Sequence, residues 1–500
     1  MRDHAPITID EFNGLWARGD DDACPLDHFL EATNIQYSEG GFGTRDGLDL
    51  FQTVGFLSDV LRIHPYKMMS GLTLLVLTAN GSIHHLLSPS VIHNNILVKG
   101  GMTDFNVVSF AGRAYITPFF TDANGIEKGL QNEFLYVYQG NGVVARKAAG
   151  NPPTGAVTVA NGAAGNMDEG LHLFGVVFES DTGWLSAPAA FAQFTTLPLT
   201  TVSFSNIPVS AQPFVVKRHI VATRVIQTSV FSGDLDGYEY SFIPGATIND
   251  NVTTILNNVG FFDIDLLEDA SHLIDNFTEI PAGVGLTMYH GRLVLTTTFS
   301  DISVAYLSEP GEPESFNQVD GLLIVPLDGN PLTNCTEFRD VLYLFKPVRC
   351  VGYHDNQDVP ATWESFVVDE ANGCPVHGIA SVLDSGAVNT DYLIIGNYNG
   401  VMLFNGGFVP SELTYKIVDF WFDLDRTKFR AIEIINDTIT TRFFVILPTG
   451  NVLFADYSNG LDGESVKWAH WTFQRFVTTA EIININEIIF GSKDILAIEG

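Results

Sequence analysis

The segment with the most suggestive chemistry is DFWFDLD, residues 419–425, where three carboxylates surround aromatic side chains. Glycosidases place two carboxylates beside the bond that they cleave, one as acid and one as nucleophile or base. Asp419, Asp423 and Asp425 offer candidates for such a pair. The alternation of aromatic and acidic residues also predicts a strand with its aromatic face buried and its acids at a rim. We favour this structural interpretation.

Two further acidic patterns suggest sites. Residues 180–184, SDTGW, resemble the Asp-box turn of sialidase propellers, but the pattern occurs once and no arginine triad accompanies it. The pairs Asp234/Asp236 and Asp263/Asp265 have a spacing suited to Ca²⁺, which prefers six to eight oxygen ligands. Neither pair belongs to a complete twelve-residue loop with a closing glutamate. Ordinary turns are therefore the favoured interpretation.

The histidines and cysteines indicate no metal centre. His84, His85 and His93 lie on or beside predicted strands without acidic partners, which favours core or surface roles. The cysteines are scattered and form no CxxC pair: Cys24, Cys335, Cys350 and Cys374. Phosphate-binding glycine loops, nucleophile elbows and HExxH motifs do not occur. The sequence thus predicts free thiols, no metal, no cofactor and no enzymatic activity.

The charge balance excludes one class of nucleic-acid protein. The chain has 25 basic and 58 acidic residues, a net charge of −33, and no cluster of lysines or arginines. Proteins that wrap DNA or read its bases need several cations to displace counterions from phosphates. An acidic wall would instead let a polyanion pass without adhering, because like charges repel. The alternative is that the acidity serves solubility alone.

Short apolar runs bounded by glycine, asparagine or aspartate recur along the chain. Residues 72–77 (LTLLVL) precede the dipeptide Asn80-Gly81, which is a strong hairpin signal between two strands. The closest internal match is GRAYIT at 112–117 with GRLVLT at 291–296. With 46 glycines and 37 phenylalanines, this pattern predicts an all-β chain, organised as a β-propeller or a sandwich. The repeats are too dissimilar to give the number of blades.

The middle of the chain differs in composition. It opens at Pro152-Pro153, continues through a stretch rich in Gly, Ala and Asn, and then contains about seven short apolar runs. Its 3 basic and 12 acidic residues give a charge of −9. We predict an N-terminal arm at 1–50, the first part of a propeller at 51–150, an inserted sandwich at 151–272 and the remainder of the propeller at 273–500.

The N-terminal arm alternates apolar anchors with residues that break regular structure. Phe12, Leu15 and Trp16 can dock on an apolar surface, whereas the run 20–22 of three aspartates and Pro25 interrupt any helix or strand. We predict assembly contacts for seven side chains of this arm: Phe12, Leu15, Trp16, Arg18, Phe29, Phe42 and Arg45. The alternative is an arm that wraps only its own domain.

These motifs carry a family resemblance. FNGL at 12–15, ATNI at 32–35 and GGFGTRDG at 40–47 resemble the opening of the tail nozzle proteins (tail tubular protein B-like) of short-tailed bacteriophages. KRHIVATR at 217–224 and YLSEPGEPESF at 306–316 are similar to later motifs of that family. The resemblance implies a β-propeller with an inserted fibronectin III/Ig-like β-sandwich and an irregular N-terminal arm. This chain is shorter than the nozzle proteins of that family.

The resemblance implies a virion structural protein of the tail nozzle, made in the host cytoplasm, that forms a ring around a DNA channel for genome retention and ejection. The expected partners are identical subunits, six to a ring, the portal-adapter ring, tail fibres or spikes, and double-stranded DNA that passes without specific binding. The alternative function is that of a receptor- or glycan-binding tail protein. A third interpretation, a secreted glycan-cleaving propeller, is disfavoured because residues 1–4 (MRDH) do not begin a signal peptide. The apolar runs are also too short to span a membrane.

Overall fold

The computed structural model describes residues 14–17, 28–29, 31–38, 41–44, 48–50, 58–68, 70–227, 237–325, 328–377, 379–383, 390–437, 439–484, 487–492 and 496–499. The fold in these residues is all-β, with 39 strands and one short α-helix, α1 (Val418–Phe422). Short 3₁₀ helices lie at Asp263–Asp265, Ser271–Asp275, Pro360–Thr362, Tyr415–Ile417 and Arg426–Ala431.

The N-terminal part supplies three short strands. β1 (Ile35–Ser38) and β2 (Gly41–Thr44) form an antiparallel hairpin. β3 (Leu48–Leu50) leaves this hairpin and pairs with the last strand of the chain. The segment predicted as an arm therefore also includes a strand of a larger sheet.

The next strands form two radial sheets, which we call blades 1 and 2. Blade 1 consists of β4 (Val60–Met68), β5 (Gly71–Thr78), β6 (Ser82–Ser88) and β7 (Val91–Val98). Blade 2 consists of β8 (Asp104–Phe110), β9 (Arg113–Thr121), β10 (Glu127–Gly129), β11 (Tyr136–Tyr138) and β12 (Arg146–Lys147). Blade 1 is an antiparallel meander. In blade 2, β9 pairs antiparallel with β8, β10 and β11, and β11 pairs with β12.

The predicted Asn80-Gly81 turn joins β5 to β6. Gly81 has φ +77°, and a Cβ atom at this position would lie 2.3 Å from the carbonyl oxygen of Lys99. Only glycine satisfies both the positive φ and the close approach of the neighbouring backbone.

Seven strands between blades 2 and 3 form a separate sandwich, which we call the insert. They are β13 (Thr158–Ala164), β14 (Gly170–Ser180), β15 (Ala189–Thr196), β16 (Thr200–Ser205), β17 (Val215–Ala222), β18 (Ser241–Ile248) and β19 (Leu256–Val259). One sheet has the order β13-β16-β19 and the other β15-β14-β17-β18. The second order is that of strands C′-C-F-G in an Ig-type sandwich. Phe174, Phe204 and Phe261 lie in the core between the sheets.

Five further blades complete the architecture. Blade 3 consists of β20 (Gly285–Tyr289), β21 (Arg292–Thr296), β22 (Val304–Glu309), β23 (Glu312–Phe316) and β24 (Leu322–Ile324). Blade 4 consists of β25 (Asn334–Phe338), β26 (Val341–Phe345), β27 (Cys350–Tyr353) and β28 (Ser365–Asp369). Blade 5 consists of β29 (Ala380–Leu383), β30 (Thr390–Asn397), β31 (Gly400–Phe404) and β32 (Phe408–Glu412). Blade 6 consists of β33 (Glu433–Asp437), β34 (Arg442–Ile446), β35 (Val452–Asp456) and β36 (Lys467–Trp471). Blade 7 consists of β37 (Val477–Asn484), β38 (Glu487–Ser492), β39 (Leu496–Glu499) and β3.

The blades close into a ring, so the fold is a seven-bladed β-propeller with an inserted sandwich. The innermost strand β4 contacts both β8 and β37, and β20 contacts both β8 and β25. Because β3 pairs with β39, the two ends of the chain share blade 7 and hold the ring closed. Apolar clusters between neighbouring blades form the core, and the largest spans blades 4–7 together with Leu15 and Ala32 of the N-terminal arm.

The turn at residues 180–184 docks the insert on the propeller. Asp181 accepts a hydrogen bond from Arg146 of blade 2 at 2.7 Å, and Arg146 also pairs with Glu314 of blade 3 at 3.1 Å. Trp184 is buried in the apolar cluster between these two blades. The motif that resembles an Asp-box is thus a structural joint between the insert and blades 2 and 3.

Candidate functional site: the axial cavity

All seven blades contribute to one axial cavity of about 550 Å³. The innermost strands of a propeller converge because its blades are arranged radially around one axis. The lining side chains come from the innermost strands or from the residues that lead into them, one or more from each blade: His64, Asn106, Val284, Asn334, His377, Glu433 and Glu481.

Arg62 is the centre of the charged network beside this cavity. Its guanidinium contacts Asp104 Oδ2 through Nη2 at 2.8 Å and through Nε at 2.9 Å, and it contacts Glu433 Oε2 at 3.2 Å. Burial alone would lower the pKa of Arg62, but the adjacent carboxylates raise it above its ordinary value. The charged guanidinium therefore joins blades 1, 2 and 6 near the axis.

Two imidazoles lie beside Arg62, the buried His377 and the half-buried His64. His64 bonds the carbonyl oxygen of Phe105 through Nε2 at 2.8 Å, so Nε2 donates and Nδ1 keeps its lone pair. Burial and the charge of Arg62 lower the pKa of His64 to about 3. The same two causes, with Arg430, lower the pKa of His377 well below its ordinary value. Both imidazoles are consequently neutral at pH 7.

A second ion pair, Arg430 with Glu127, connects blade 2 to the 3₁₀ helix that leads into blade 6. Arg430 also donates to the carbonyl oxygen of Val376 at 2.6 Å. Beyond this pair lies a smaller cavity of about 270 Å³, whose lining includes Tyr398 and Arg426. Because Arg430 lines both cavities, its side chain separates them.

Two glutamates of the axial cavity resist ionisation. Burial and the nearby charge of Glu433 raise the pKa of Glu481 to about 8. Burial also raises the pKa of Glu433, although Arg62 opposes that shift. At neutral pH the cavity wall therefore offers the protonated carboxyl of Glu481, the carboxyl of Glu433 beside Arg62 and neutral imidazoles, a set that can bind cations and polar molecules.

Four of the seven predicted assembly residues fall in the described part of the chain. Leu15 is buried, and its backbone N–H donates to the carbonyl oxygen of Trp468 at 2.9 Å. Trp16 packs edge-on against His28 with ring centroids 5.3 Å apart. Phe29 contacts Phe42 in the same way at 5.0 Å, and Phe42 is 42% exposed.

The other three assembly residues, Phe12, Arg18 and Arg45, lie outside the described residues, as does Cys24. In the described part of the arm, Leu15 and Ala17 bond to the chain's own blade 6 and to the segment before it. This packing is the one expected for an arm that wraps its own domain. Phe42 contacts Phe29 within the arm and keeps part of its ring exposed to solvent.

The strand predicted for residues 419–425 is wrong. Residues 418–422 form helix α1, which buries Trp421 and leaves Phe422 exposed. Trp421 donates from Nε1 to the carbonyl oxygen of Asn397 at 3.0 Å. Asp425 caps the following 3₁₀ helix by accepting from the backbone of Thr427. The acids of this segment therefore have structural roles at helix ends.

The remaining polar candidates also serve the fold. His84 bonds Thr78 Oγ1 at 3.1 Å, and His85 bonds the hydroxyl of Tyr138 at 2.8 Å. Burial lowers the pKa of His85 to about 4. Asp263 begins a 3₁₀ helix and accepts from the backbone of Val225, 38 positions earlier in the chain, whereas Asp234 and Asp236 lie outside the described residues. The cysteines of the described part are free thiols: Cys335, Cys350 and Cys374.

Comparisons with known proteins return propellers. The solved structures that resemble this chain include the WD40 domain of SCAP from fission yeast (9% identity, 91% of this chain and 98% of that chain, TM-score 0.34). Another is BBS1N in complex with ARL6DN, with 9% identity, coverage of 91% of this chain and 98% of that chain, and a TM-score of 0.36. A third is BamB from Moraxella catarrhalis, with 11% identity, coverage of 69% of this chain and 97% of that chain, and a TM-score of 0.27. No protein-family model and no curated protein matches the sequence. At these TM-scores the similarities carry no functional argument, and the fold is established by the seven radial sheets.

No helix among the described residues is long and apolar enough to cross a membrane.

Proposed function

We propose that this chain is a structural subunit of a phage tail nozzle, and that several copies form a ring around a channel for double-stranded DNA. The observation that carries the proposal is the charge of −33 on a rigid, closed propeller. A conduit for a polyanion needs a stable wall that does not attract phosphates. The sequence motifs of the nozzle family support the same role.

The ion pairs strengthen the electrostatic argument. Many basic side chains of the described chain already contact a carboxylate: Arg62, Lys99, Lys128, Arg146, Lys147, Lys217, Arg218, Arg292, Lys346, Arg349, Lys428 and Arg430. A cation paired within its own chain has less attraction left for a phosphate. Nonspecific DNA binding depends on such cations, so the excess of acids dominates the surface.

The DNA path of such a ring lies between subunits. The axial cavity of one chain is about 550 Å³ and is bordered by the Arg62 and Arg430 ion pairs. That space suits a small molecule or an ion rather than a DNA duplex. In the proposed assembly, the propellers therefore stand side by side around a wider lumen.

The insert offers surface for contacts between subunits or with fibres. Ile264, within the 3₁₀ helix Asp263–Asp265, is 78% exposed. Leu267, just after this helix, is 81% exposed, and Val252 is 77% exposed. Exposed aliphatic side chains on an otherwise polar domain are suited to burial in an interface. Arg146 and Trp184 hold the insert on blades 2 and 3. A force applied to the insert is therefore transmitted to the propeller.

DNA passage through the assembled ring tests the proposal. An image of the ring identifies the acids that face the lumen, and changing these to lysine should slow ejection and cause DNA to be retained, most strongly at low salt. Lysine substitutions of outward-facing acids are the matched control. Unchanged ejection with lumen lysines would refute the acidic conduit. A monomer that binds host cells or glycans would instead support the alternative of a receptor-binding tail protein.

A further inference from the structure

Two imidazoles and a carboxylate from three blades meet beside the axial cavity. One ligand atom each from His64, Asp104 and His377 lies within 4.8 Å of the other two. Asp104 and His377 are 6% and 7% exposed, and His64 is partly buried. His64 comes from blade 1, Asp104 from blade 2 and His377 from the segment that leads into blade 5.

The hydrogen bonds leave one ring nitrogen of each histidine available as a ligand. The bond from His64 Nε2 to the carbonyl oxygen of Phe105 fixes the ring and leaves Nδ1 as an acceptor. Metal-binding histidines are usually oriented by this kind of bond through their second nitrogen. His377 Nδ1 is buried without a hydrogen-bond partner and lies 3.9 Å from Asp104 Oδ2.

Asp104 retains capacity for a further ligand. A carboxylate oxygen has two acceptor positions, and Arg62 Nε and Nη2 occupy both of those on Oδ2. The backbone N–H of Phe105 takes one position on Oδ1, which keeps one for a metal ion. Ligand atoms around a tetrahedral zinc ion lie about 3.4 Å apart, because each is roughly 2.0–2.1 Å from the metal. The three ligand atoms lie within 4.8 Å of one another, so rotation of the side chains must bring them closer by up to about 1.4 Å.

The charges of the surroundings suit a divalent cation. The axial region contains the carboxyl groups of Asp104, Glu127, Glu433 and Glu481, against the guanidiniums of Arg62 and Arg430. Glu481 holds a proton at neutral pH, so at most three carboxylates face the two guanidiniums and at most one negative charge has no internal counterpart. A bound cation compensates that charge.

We propose that His64, Asp104 and His377 bind one divalent transition-metal ion of the zinc class on the propeller axis. Imidazole nitrogens and a carboxylate oxygen are ligands that such ions accept. Three protein ligands leave one coordination position, which faces the cavity and takes water. The ion links blades 1, 2 and 5 across the axis. It therefore adds a cross-link to the ring, besides the pairing of β3 with β39.

Metal binding to the untagged full-length chain tests this site. After treatment with a chelator and dialysis, the protein is titrated with Zn²⁺ by equilibrium dialysis and with Co²⁺ by visible absorption. We expect one equivalent of either metal, ligand-field bands typical of four-coordinate cobalt, and a higher melting temperature with zinc. His377→Gln should weaken binding by about tenfold or more, and His64→Gln should do the same.

His290→Gln is the matched control, because His290, Glu337 and Asp340 form the other group of potential ligands in the described chain, on the surface. Binding that is lost in His290→Gln but intact in His377→Gln overturns the proposal. Wild-type protein that binds no zinc and gives no cobalt spectrum overturns it as well. Circular dichroism verifies that each variant is folded, and if the axial variants unfold, the wild-type stoichiometry and cobalt spectrum decide.

Discussion

Arg62 is the side chain whose removal we expect to destabilise the propeller most. Arg62→Met keeps most of the volume but leaves Asp104 and Glu433 as buried carboxylates without a counter-charge. Breaking a buried ion pair in this way costs about 3–5 kcal/mol. Urea denaturation should show that loss in the free energy of unfolding, and adding Glu433→Gln to Arg62→Met should recover part of it. If Arg62→Met were as stable as the wild type, the ion pairs of Arg62 would not stabilise the propeller.

Glu481 makes stability depend on pH in a defined direction. The pKa is about 8 in the folded chain, against an ordinary value of 4.5, so the folded state holds a proton that the unfolded state loses between these pH values. Stability from this group is therefore complete below pH 4.5 and declines as pH rises towards 8. Glu481→Gln cannot lose this proton and should not show that decline.

Urea unfolding at pH 5.5, 7 and 8.5 measures this effect. Because Glu481 keeps some contact with solvent, we expect the variant to gain on the order of 2 kcal/mol over the wild type at the highest pH. Glu464→Gln, at an exposed position, is the control. A wild type and a Glu481→Gln variant with parallel pH profiles would show that the carboxyl ionises normally.

Residue-scale prediction from the sequence succeeded only for local patterns. The buried histidines at 84 and 85 have the structural roles expected of them. Arg62, Asp104, His377 and Glu433 gave no signal, since they are far apart in sequence and meet only when blades 1, 2, 5 and 6 surround the axis. The charged cluster therefore forms only when the blades close into the ring.

The N-terminal arm contains a pair of side chains that separates folding from assembly. Leu15 is 6% exposed within the core of blades 4–7, whereas Phe42 is 42% exposed. Leu15→Ala should lower the free energy of unfolding by about 2–4 kcal/mol. Phe42→Ala should change it little and, if the arm docks on a neighbour, should weaken assembly of the ring. Thermal melts and sedimentation measure the two effects, and a neutral Leu15→Ala would contradict the packing of the arm.

Strands were easier to predict than helices because their turns are local. The Asn80-Gly81 turn joins two consecutive antiparallel strands, as the sequence predicts. Residues 418–422 instead form a helix, although aromatic and acidic residues alternate in a strand-like way. There, burial of Trp421 in the large core outweighs the local pattern.

Among the described residues, a short pairing between β3 and β39 completes blade 7 and so reinforces closure of the propeller. Leu48–Leu50 pairs with Leu496–Glu499, and removal of residues 1–50 would expose an edge of blade 7. An open strand edge promotes aggregation, and the ring loses its link between the chain ends. We expect this truncation to lower the melting temperature and to increase light scattering. A truncated chain as stable and as soluble as the full chain would show that β3 is dispensable.

The number of blades could not be predicted from the sequence, because the repeats have a common strand-turn pattern but different amino acids. Blade 7 in particular takes three strands from the end of the chain and one from residues 48–50, so no contiguous repeat encodes it. The insert between β12 and β20 interrupts the series once more. Contacts between blades, rather than local motifs, complete the ring.

An image of the purified full-length protein tests the central proposal most directly. Negative-stain electron microscopy, with sedimentation of the same sample, shows whether the chain assembles. The account predicts rings of identical propellers, with the inserts as projections and an open lumen wide enough for a DNA duplex. A single propeller-sized particle at every protein concentration would contradict it.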